Sequence, residues 1–228
     1  MRDKIKDADY FNKFIEEDTA RVNNFIGKLE RGEVDKERIL PVKARAHDLK
    51  LGILTAKYSR GDDLLLLERN YLELLDEWEA VWESDYYNKN LKMISLGILF
   101  GADKAFAKKI IEMLEDANIN DWLLFFLLDS WAGLEENEDK KLLFPKSFSR
   151  LQKVVSEDNK AGLLKEYLSK DWYNKDCGCH EAHKSKQNIY YGYWSFESGA
   201  ISKVLSLNDD DLKGVPYYPY DLVHYKYD

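Results

Sequence analysis

The sequence predicts an all-α protein, an irregular multi-helix bundle of about eight to ten helices with an extended C-terminal tail. Two observations support this prediction. Apolar residues recur at intervals of three and four along most of the chain, and this spacing places them on one face of a helix. The alternation of polar residues with Val, Ile and Thr that is typical of β-strands is missing from the sequence.

The first two helices begin and end at recognisable signals. One is predicted between residues 5 and 31 and stops near Gly32. The next begins close to Pro41, because proline suits the first turn of a helix, and it breaks off at 59–61, Ser-Arg-Gly.

The third predicted helix, at 64–82, is the clearest in the chain. Asp62 or Asp63 can cap it by accepting hydrogen bonds from the free N–H groups of its first turn. One side of it is apolar (Leu64, Leu67, Tyr71, Leu74, Leu75, Trp78, Val81 and Trp82), and four acidic residues largely face away (Glu68, Glu73, Asp76 and Glu79).

Shorter helices follow with the same spacing. The segment at 121–133 is apolar nearly all round, so it is expected to lie centrally with helices on several sides. The polar stretch from Glu135 to Lys141 marks the boundary between an N-terminal helical domain, 1–134, and a C-terminal one, 135–228, packed as one compact unit. The shorter helices of this part of the chain are predicted at 90–100, 103–117, 121–133, 146–156 and 160–172.

The C-terminal part changes in character. The spacing predicts one helix from Asn188 to Leu207, in which Gly192 and Gly199 lie nearly on one side and suggest that another backbone approaches closely. A turn or short helix follows at 208–211. The segment 214–220 is then expected to be extended, because the residue before a proline avoids the helical region.

The charge balance restricts the function. The chain has 228 residues, 42 of them acidic and 34 basic, and a formal net charge of −8. This charge argues against direct binding of nucleic acid and favours a basic partner. Aromatic residues make up 14% of the chain, more than a small core needs, so some are expected at an interface.

The sequence shows no targeting or membrane segment. Its first residues are charged and lack the apolar region of a secretory signal, so the protein is expected in the cytoplasm. The longest apolar run, Trp122–Leu128, is far shorter than the ~20 residues that cross a bilayer, and no membrane partner is expected.

The stretch CGCHEAH at 177–183 has the residue types of a zinc site: Cys177, Cys179, His180 and His183. Structural zinc sites usually take two ligands from each of two separate segments, and no second pair lies nearby. The simpler interpretation is a loop with reduced cysteines. We therefore predict no metal and no cofactor, and the alternative is a zinc-dependent enzyme or a metal-stabilised helical protein.

No other pattern predicts catalysis. Glu197 falls on the aromatic face of its predicted helix and could act as a general base. A structural ion pair, or a hydrogen bond to a tyrosine, a histidine or a backbone amide, is the favoured explanation, because a half-buried carboxylate needs a partner. His47 and His224 are isolated. Phosphate loops, nucleophile elbows, HExxH and EF-hand patterns are absent, so the prediction is a protein that is not an enzyme.

Two acidic clusters have two interpretations. Acidic clusters of this kind are usually solvated turns. The other interpretation is a surface that matches a basic partner, where opposite charge speeds encounter and aromatic side chains hold the complex. The clusters contain Glu135, Glu136, Glu138 and Asp139, and Asp209, Asp210 and Asp211.

Two motifs near the C-terminus resemble a known family. Residues 190–201, YYGYWSFESGAI, and residues 216–224, PYYPYDLVH, resemble the C-terminal signature of the PoNi-like immunity proteins in order and separation. Weaker motifs, YSRG at 58–61 and LGIL at 96–99, resemble the N-terminal domain of that family.

The resemblance implies a cytosolic, all-helical protein that binds and silences a toxin secreted by the same bacterium. The toxins of this family are DNases of the PoNe type, delivered by type VI secretion or other polymorphic-toxin routes, including contact-dependent inhibition. A nuclease must attract DNA and is usually basic, which agrees with the acidic charge balance. A helical scaffold for another partner is the second alternative, and the sequence leaves monomer and dimer open.

The resemblance also divides the candidate residues into two groups. The motif implies a role in defining the fold, with Glu197 and Asp221 tying the helix to the tail. Immunity proteins vary most where they touch their toxin, so toxin contacts are expected at the two acidic clusters and at exposed aromatic residues. The motif residues predicted to be structural are Gly192, Tyr193, Trp194, Phe196, Glu197, Pro219 and Asp221.

Overall fold

A computed structural model describes residues 1–135, 140–177 and 180–226, apart from the side chain of Asp176. Within these ranges the regular structure is helical, and extended backbones pair at a single bridge between Asp121 and Lys141. The predicted all-α multi-helix fold is confirmed. None of the described helices combines the length and the hydropathy that crossing a bilayer requires.

The chain forms two compact units, and neither is continuous in sequence. The first unit comprises Met1–Glu83 and Glu181–Gly192. The second comprises Ser84–His180 and the chain from Tyr193 onward. These limits differ from the boundary predicted after residue 134, which stays a prediction about the two halves of the chain.

Three helices form most of the first unit, and all three lie where the sequence predicts them. They are α1 (Ala8–Glu30), α2 (Ile39–Arg60) and α3 (Leu64–Trp78). α2 packs against both of the others. It ends at Gly61, whose φ of 100° suits a residue without a Cβ. Asp63 then caps α3 by accepting from two N–H groups of its first turn, as predicted.

A distant segment completes the first unit. The hydroxyl of Tyr190 donates to Asp3 at 2.5 Å, and the N–H of Tyr190 donates to the hydroxyl of Tyr10 in α1 at 3.0 Å. The carbonyl oxygen of Tyr191 accepts from the hydroxyl of Ser59 in α2 at 2.7 Å. The first unit therefore includes residues separated by more than a hundred positions in sequence.

The helix predicted from Asn188 to Leu207 is wrong in its first half. Residues 188–195 are irregular or extended, and α9 covers only Phe196–Val204. Gly192 has a φ of 117°, which lies outside the helical region. Backbone groups between 190 and 195 bond to groups from other parts of the chain, so these contacts replace the helical hydrogen bonds.

The second unit surrounds an apolar helix. Its helices are α4 (Tyr87–Phe100), α5 (Lys104–Asp116), α6 (Trp122–Ala132), α7 (Pro145–Ser156), α8 (Lys160–Glu166), α9 and the short α10 (Tyr220–Val223). Nearly every residue of α6 is buried, and α6 packs against α4, α5 and α9. Its predicted central position is confirmed.

Beyond Glu166 the helix α8 continues as a π-helix, Tyr167–Asp176. Its hydrogen bonds join residues five apart, as in the bond from the N–H of Cys177 to the carbonyl oxygen of Trp172 at 2.9 Å. Around an α-helix, residues five apart diverge by about 140°. In the π-helix they lie one above the other, and the buried rings of Tyr167 and Trp172 are 6.4 Å apart. The helix predicted at 160–172 is present with this change of pitch.

The C-terminal tail turns more sharply than the predicted extended course. The N–H of Val215 bonds to the carbonyl oxygen of Leu212, and the N–H of Tyr218 to that of Val215. Tyr217 is the third residue of the second turn and has a φ of 71°, a conformation that costs a non-glycine residue roughly 1–2 kcal/mol. The prolines keep the residues before them out of the α region, but turns satisfy that restriction as well as extended backbone does.

Candidate functional site

The motif residues 193–197 are held inside the second unit. Tyr193 is buried, and its carbonyl oxygen accepts from the indole N–H of Trp172 in the π-helix at 2.9 Å. The N–H of Ser195 donates to the carbonyl oxygen of Tyr217 in the tail at 2.9 Å. Of the other aromatic motif residues, Phe196 is buried and Trp194 is half-buried.

Glu197 is the most enclosed acidic residue of the motif, with 3% of its surface exposed. Its Oε1 accepts from the hydroxyl of Tyr167 at 3.1 Å and from the hydroxyl of Ser195 at 2.5 Å. The predicted hydrogen bond to a tyrosine is present. These bonds connect the start of α9 to the π-helix, and the change of pitch in that helix brings Tyr167 and Trp172 to the same side.

Close packing joins α9 to the tail. A Cβ added at Gly199 would lie 2.6 Å from Cγ of Pro219 and 3.2 Å from a methyl group of Val223, so this position requires glycine. The neighbour is a proline ring and not the backbone that the sequence suggested. Asp221, at the start of α10, is exposed.

Asp209 differs from the two acidic residues that follow it. It is 2% exposed and accepts from the hydroxyl of Tyr218 at 2.6 Å and from Nε2 of His224 at 2.8 Å. Burial, and next the hydrogen bond to Asp209, raise the pKa of Tyr218 well above its usual range. The expectation that Asp209 offers its charge to a partner is corrected, because the carboxylate is buried and engaged within the tail.

The other acidic residues predicted as toxin contacts are exposed where the structure describes them. These are Glu135, Asp210 and Asp211. Glu136, Glu138 and Asp139 lie outside the described residues. A role for either cluster in binding stays a prediction.

Two exposed aromatic side chains line a cleft in the second unit. Tyr86 is 55% exposed and Phe144 is 47% exposed, and the cleft beside them has a volume of about 330 Å³. Its charged lining residues have both signs: Asp85, Lys89 and Lys175. The mixed charge indicates no preference for a basic or an acidic ligand.

The two histidines of CGCHEAH contact tyrosine rings, and Cys177 bonds to a backbone carbonyl group. The thiol of Cys177 donates to the carbonyl oxygen of Tyr173 at 3.2 Å, and the ring of His180 lies 4.8 Å from that of Tyr173. His183 lies against Tyr190. Cys179 is outside the described residues. Among those that are described, no three His, Cys, Asp or Glu side chains are grouped as a metal site would require.

The segment that contains α3 carries most of the net negative charge of the chain, a concentration that no motif marks. Residues 62–83 contain eight acidic residues and one basic residue, Arg69, so their net charge is −7, against −8 for the whole chain. The remaining 34 acidic and 33 basic residues almost balance. A count of charge along the sequence would have found this concentration. The acidic residues are Asp62, Asp63, Glu68, Glu73, Asp76, Glu77, Glu79 and Glu83.

Some of these acidic residues already have partners, and others do not. Glu73 and Asp76 are exposed, and neither forms an ion pair with a described residue. They lie three positions apart and so face the same way. Three engaged acids are Asp62, which pairs with Arg60 at 2.6 Å, Glu77, which pairs with Lys50 at 2.6 Å, and Asp63, which caps α3.

Family models match both parts of the chain. The model described as PoNe immunity protein (PoNi), N-terminal, matches residues 2–112, and the model described as PoNe immunity proteins (PoNi), C-terminal, matches residues 119–222. The chain belongs to the PoNe immunity protein (PoNi) family. The resemblance read from the sequence motifs is confirmed for both the N-terminal and the C-terminal part.

The PoNi chain is also similar to a solved structure. The crystal structure of protein PA2201 from Pseudomonas aeruginosa superposes with a TM-score of 0.72 over 98% of this chain and 89% of that chain. The two sequences are 20% identical, so the similarity concerns the fold alone. A search of curated proteins finds no match.

Membership of the PoNi family supports an immunity function against PoNe toxins. It implies that the protein binds a cognate toxin and suggests a role without catalysis. The family match assigns no contact residues, so the surface that meets the toxin has to be argued from exposure and charge.

Proposed function

We propose that this PoNi protein binds a cognate PoNe-type DNase in the cytoplasm of the producing cell and inhibits it by covering its active site or its DNA-binding surface. The observation that carries the proposal is the match of the two family models to residues 2–112 and 119–222. Inhibition by occlusion requires no chemistry from the inhibitor. The toxin would arrive by type VI secretion or another polymorphic-toxin route.

The charge of the chain supports a nuclease as the partner. A protein that binds DNA neutralises phosphates with lysine and arginine, so its DNA-binding surface is basic. An inhibitor with a net charge of −8 is attracted to such a surface before contact, and this attraction raises the association rate. Fast association matters because a free DNase damages the chromosome until it is bound.

Co-expression tests the immunity function in cells. The toxin domain encoded beside this gene is induced together with the PoNi protein or with an empty vector. As the specificity control, the PoNi protein is induced together with a toxin of an unrelated family. We expect growth and an intact chromosome only when the toxin and its own immunity protein are paired. Death of cells that contain soluble PoNi protein would reject the immunity function.

A purified system tests the mode of inhibition. Plasmid cleavage by the toxin should stop at about one equivalent of PoNi protein, because a stoichiometric inhibitor is not regenerated. A catalytically inactive toxin should then bind either DNA or PoNi protein, but not both. A stable complex of all three would leave the immunity function intact and reject occlusion of the DNA-binding surface.

A further inference from the structure

The helix α3 presents two unlike sides. Its apolar side is buried in the first unit and includes Tyr71 and Trp78. The opposite side spans about 120° of the helix, and every residue on it is exposed to solvent. We call this side the α3 face, and it consists of Leu65, Leu66, Arg69, Glu73, Asp76 and Glu77.

Two leucines of the α3 face lie in solvent. Leu65 is 49% exposed and Leu66 is 55% exposed, and they are adjacent in the first turn. Single exposed apolar residues are common on protein surfaces. Here the leucines share one helix face with Glu73 and Asp76, which have no ion pair among the described residues. A protein–protein interface has an apolar core and a polar rim, and the α3 face offers side chains of both kinds.

The charge of this region selects the kind of partner. The α3 face itself has three acidic residues and one basic residue, and it lies within the segment 62–83, whose net charge is −7. The combined field of this segment attracts a basic protein and repels nucleic acid. It also disfavours a second copy of this chain, because a dimer formed through the α3 face would bring two negatively charged segments together.

Packing on the opposite side of the helix keeps the α3 face rigid. Asp63 caps the first turn, and buried side chains fix the opposite side of the helix along its length. A rigid helix loses little conformational entropy when it binds, so the face is preorganised for a partner.

We propose that the α3 face is the surface onto which the toxin docks, and that it meets the basic, DNA-binding side of the nuclease. This inference rests on the proposed function and adds the contact surface to it. Glu73 and Asp76 accept charged hydrogen bonds from lysine or arginine of the toxin, and the two leucines pack against an apolar area beside them.

Charge reversal tests the acidic part of the α3 face. The probe is the inactivated toxin domain encoded beside this gene, and its association and dissociation rates are measured at low and physiological salt. The variant Glu73→Lys with Asp76→Lys should lower the association rate by at least about tenfold at low salt, and by less at high salt, because salt screens the attraction.

A matched control comes from α5. Glu112 and Glu115 are also exposed and also lie three positions apart on one helix. The variant Glu112→Lys with Glu115→Lys changes the net charge by the same amount and should alter the association rate by less than about threefold. If both double variants slow association equally, overall charge and not the α3 face guides the toxin, and the proposal fails.

Removal of the leucines tests the apolar part. Leu65→Ser with Leu66→Ser should raise the dissociation rate by about tenfold with little change in association, because short-range packing determines how long a complex lasts. Leu40→Ser, at a leucine of α2 that is 53% exposed, is the control and should bind as the parent does. Thermal melting of every variant confirms that it is folded.

The possible results test the docking surface and the immunity function separately. If the parent protein binds and inhibits the toxin while both α3-face variants do so equally well, the docking surface is wrong and the immunity function stands. If the parent protein itself neither binds nor protects, the proposed function is wrong. A change of oligomeric state in the leucine variant, seen by light scattering, would instead assign the face to self-association and overturn the proposal.

Discussion

The motif around Glu197 and the exposed side of α3 are opposite in nearly every property. The motif is recognisable in the sequence, most of residues 193–197 are buried, and backbone and side-chain groups of this segment form hydrogen bonds to the π-helix and the tail. The α3 face matches no motif, lies in solvent and includes acidic residues without an ion pair among the described residues. One region holds its own fold together, and the other is available to a partner.

This contrast explains why a family signature is a poor guide to what an immunity protein binds. Replacing a buried carboxylate that two hydroxyl groups contact is costly in stability. An exposed helix side can change its charge and shape at little cost in stability. The recognisable residues therefore indicate the fold, and the proposed contact surface consists of exposed residues that no motif marks.

Replacement of Glu197 should produce the largest loss of stability. Glu197→Ala removes the acceptor used by two buried hydroxyl groups and should lower the free energy of unfolding by about 3 kcal/mol. Glu197→Gln keeps an acceptor and should cost about 1 kcal/mol. Urea denaturation without toxin measures both, and the exposed Glu73→Ala should stay within about 0.5 kcal/mol of the parent. If the Glu197→Ala protein is as stable as the parent but fails to inhibit the toxin, the motif belongs to the toxin interface. The contrast between a structural motif and an exposed contact surface would then be wrong.

Neighbouring residues of one acidic turn should behave differently. Asp209→Ala leaves Tyr218 and His224 without their carboxylate, and we expect a loss of about 2 kcal/mol, or a Tm lower by roughly 4–8 °C. Asp210→Ala changes an exposed side chain and should leave the Tm unchanged. Equal Tm values for the two variants would show that Asp209 is not buried in solution.

Lys203 offers a pH-dependent test of how tightly the motif helix is held. Burial lowers its pKa to about 8, although its ammonium group donates to the carbonyl oxygens of Leu99 and Tyr225, which favour the charged form. Between that pKa and the ordinary value of 10.5 the unfolded chain binds more protons than the folded protein, so stability rises with pH. The lysine is partly exposed, which reduces the gain to about 1 kcal/mol between pH 7.5 and 9.5.

The variant Lys203→Met serves as the reference for this measurement. It has no ammonium group, and its other titratable groups are those of the parent, so their contributions cancel when the two unfolding free energies are subtracted. The remaining difference should shift in favour of the parent as the pH rises. A difference that stays constant from pH 7.5 to 9.5 would mean that the two carbonyl groups offset burial and keep the pKa of Lys203 near its ordinary value.

The smallest effect is expected at the cysteine that first suggested a metal. The thiol of Cys177 donates to a backbone carbonyl group, and a serine hydroxyl can do the same, so Cys177→Ser should change stability by less than about 0.5 kcal/mol. Toxin inhibition should be unchanged, and a chelator should leave the Tm of the parent where it was. A Tm lowered by the chelator would restore the zinc alternative.

Local signals explain how far the fold could be predicted. α1, α2 and α3 follow from apolar spacing, from Gly61 and from Asp63, all of which act within a few residues. The segment 188–195 could not be predicted in this way, because its backbone groups bond to Tyr10 and Ser59, 180 and 132 positions away. The sequence of the segment has helical spacing, and distant hydrogen bonds override it.

The candidate site could be predicted only in part for a similar reason. The motif residues are visible in the sequence, and helical spacing also predicts that the acidic residues of α3 face away from its apolar side. The sequence does not show which residues of the motif and of the tail are buried. Asp209 and Asp210 are adjacent acidic residues, and only the turn that contains them determines which one is buried. The importance of α3 appears only when its local charge is compared with that of the whole chain.

The composition of the first unit affects how the protein is made. That unit needs Glu181–Gly192, which bonds to Asp3, Tyr10 and Ser59, so it cannot be completed while the ribosome is still translating the middle of the gene. Domains usually fold one after another as they emerge during synthesis. Here residues 1–83 can complete their unit only after residues 181–192 have been synthesised, and a chain truncated before residue 181 leaves the first unit unfinished.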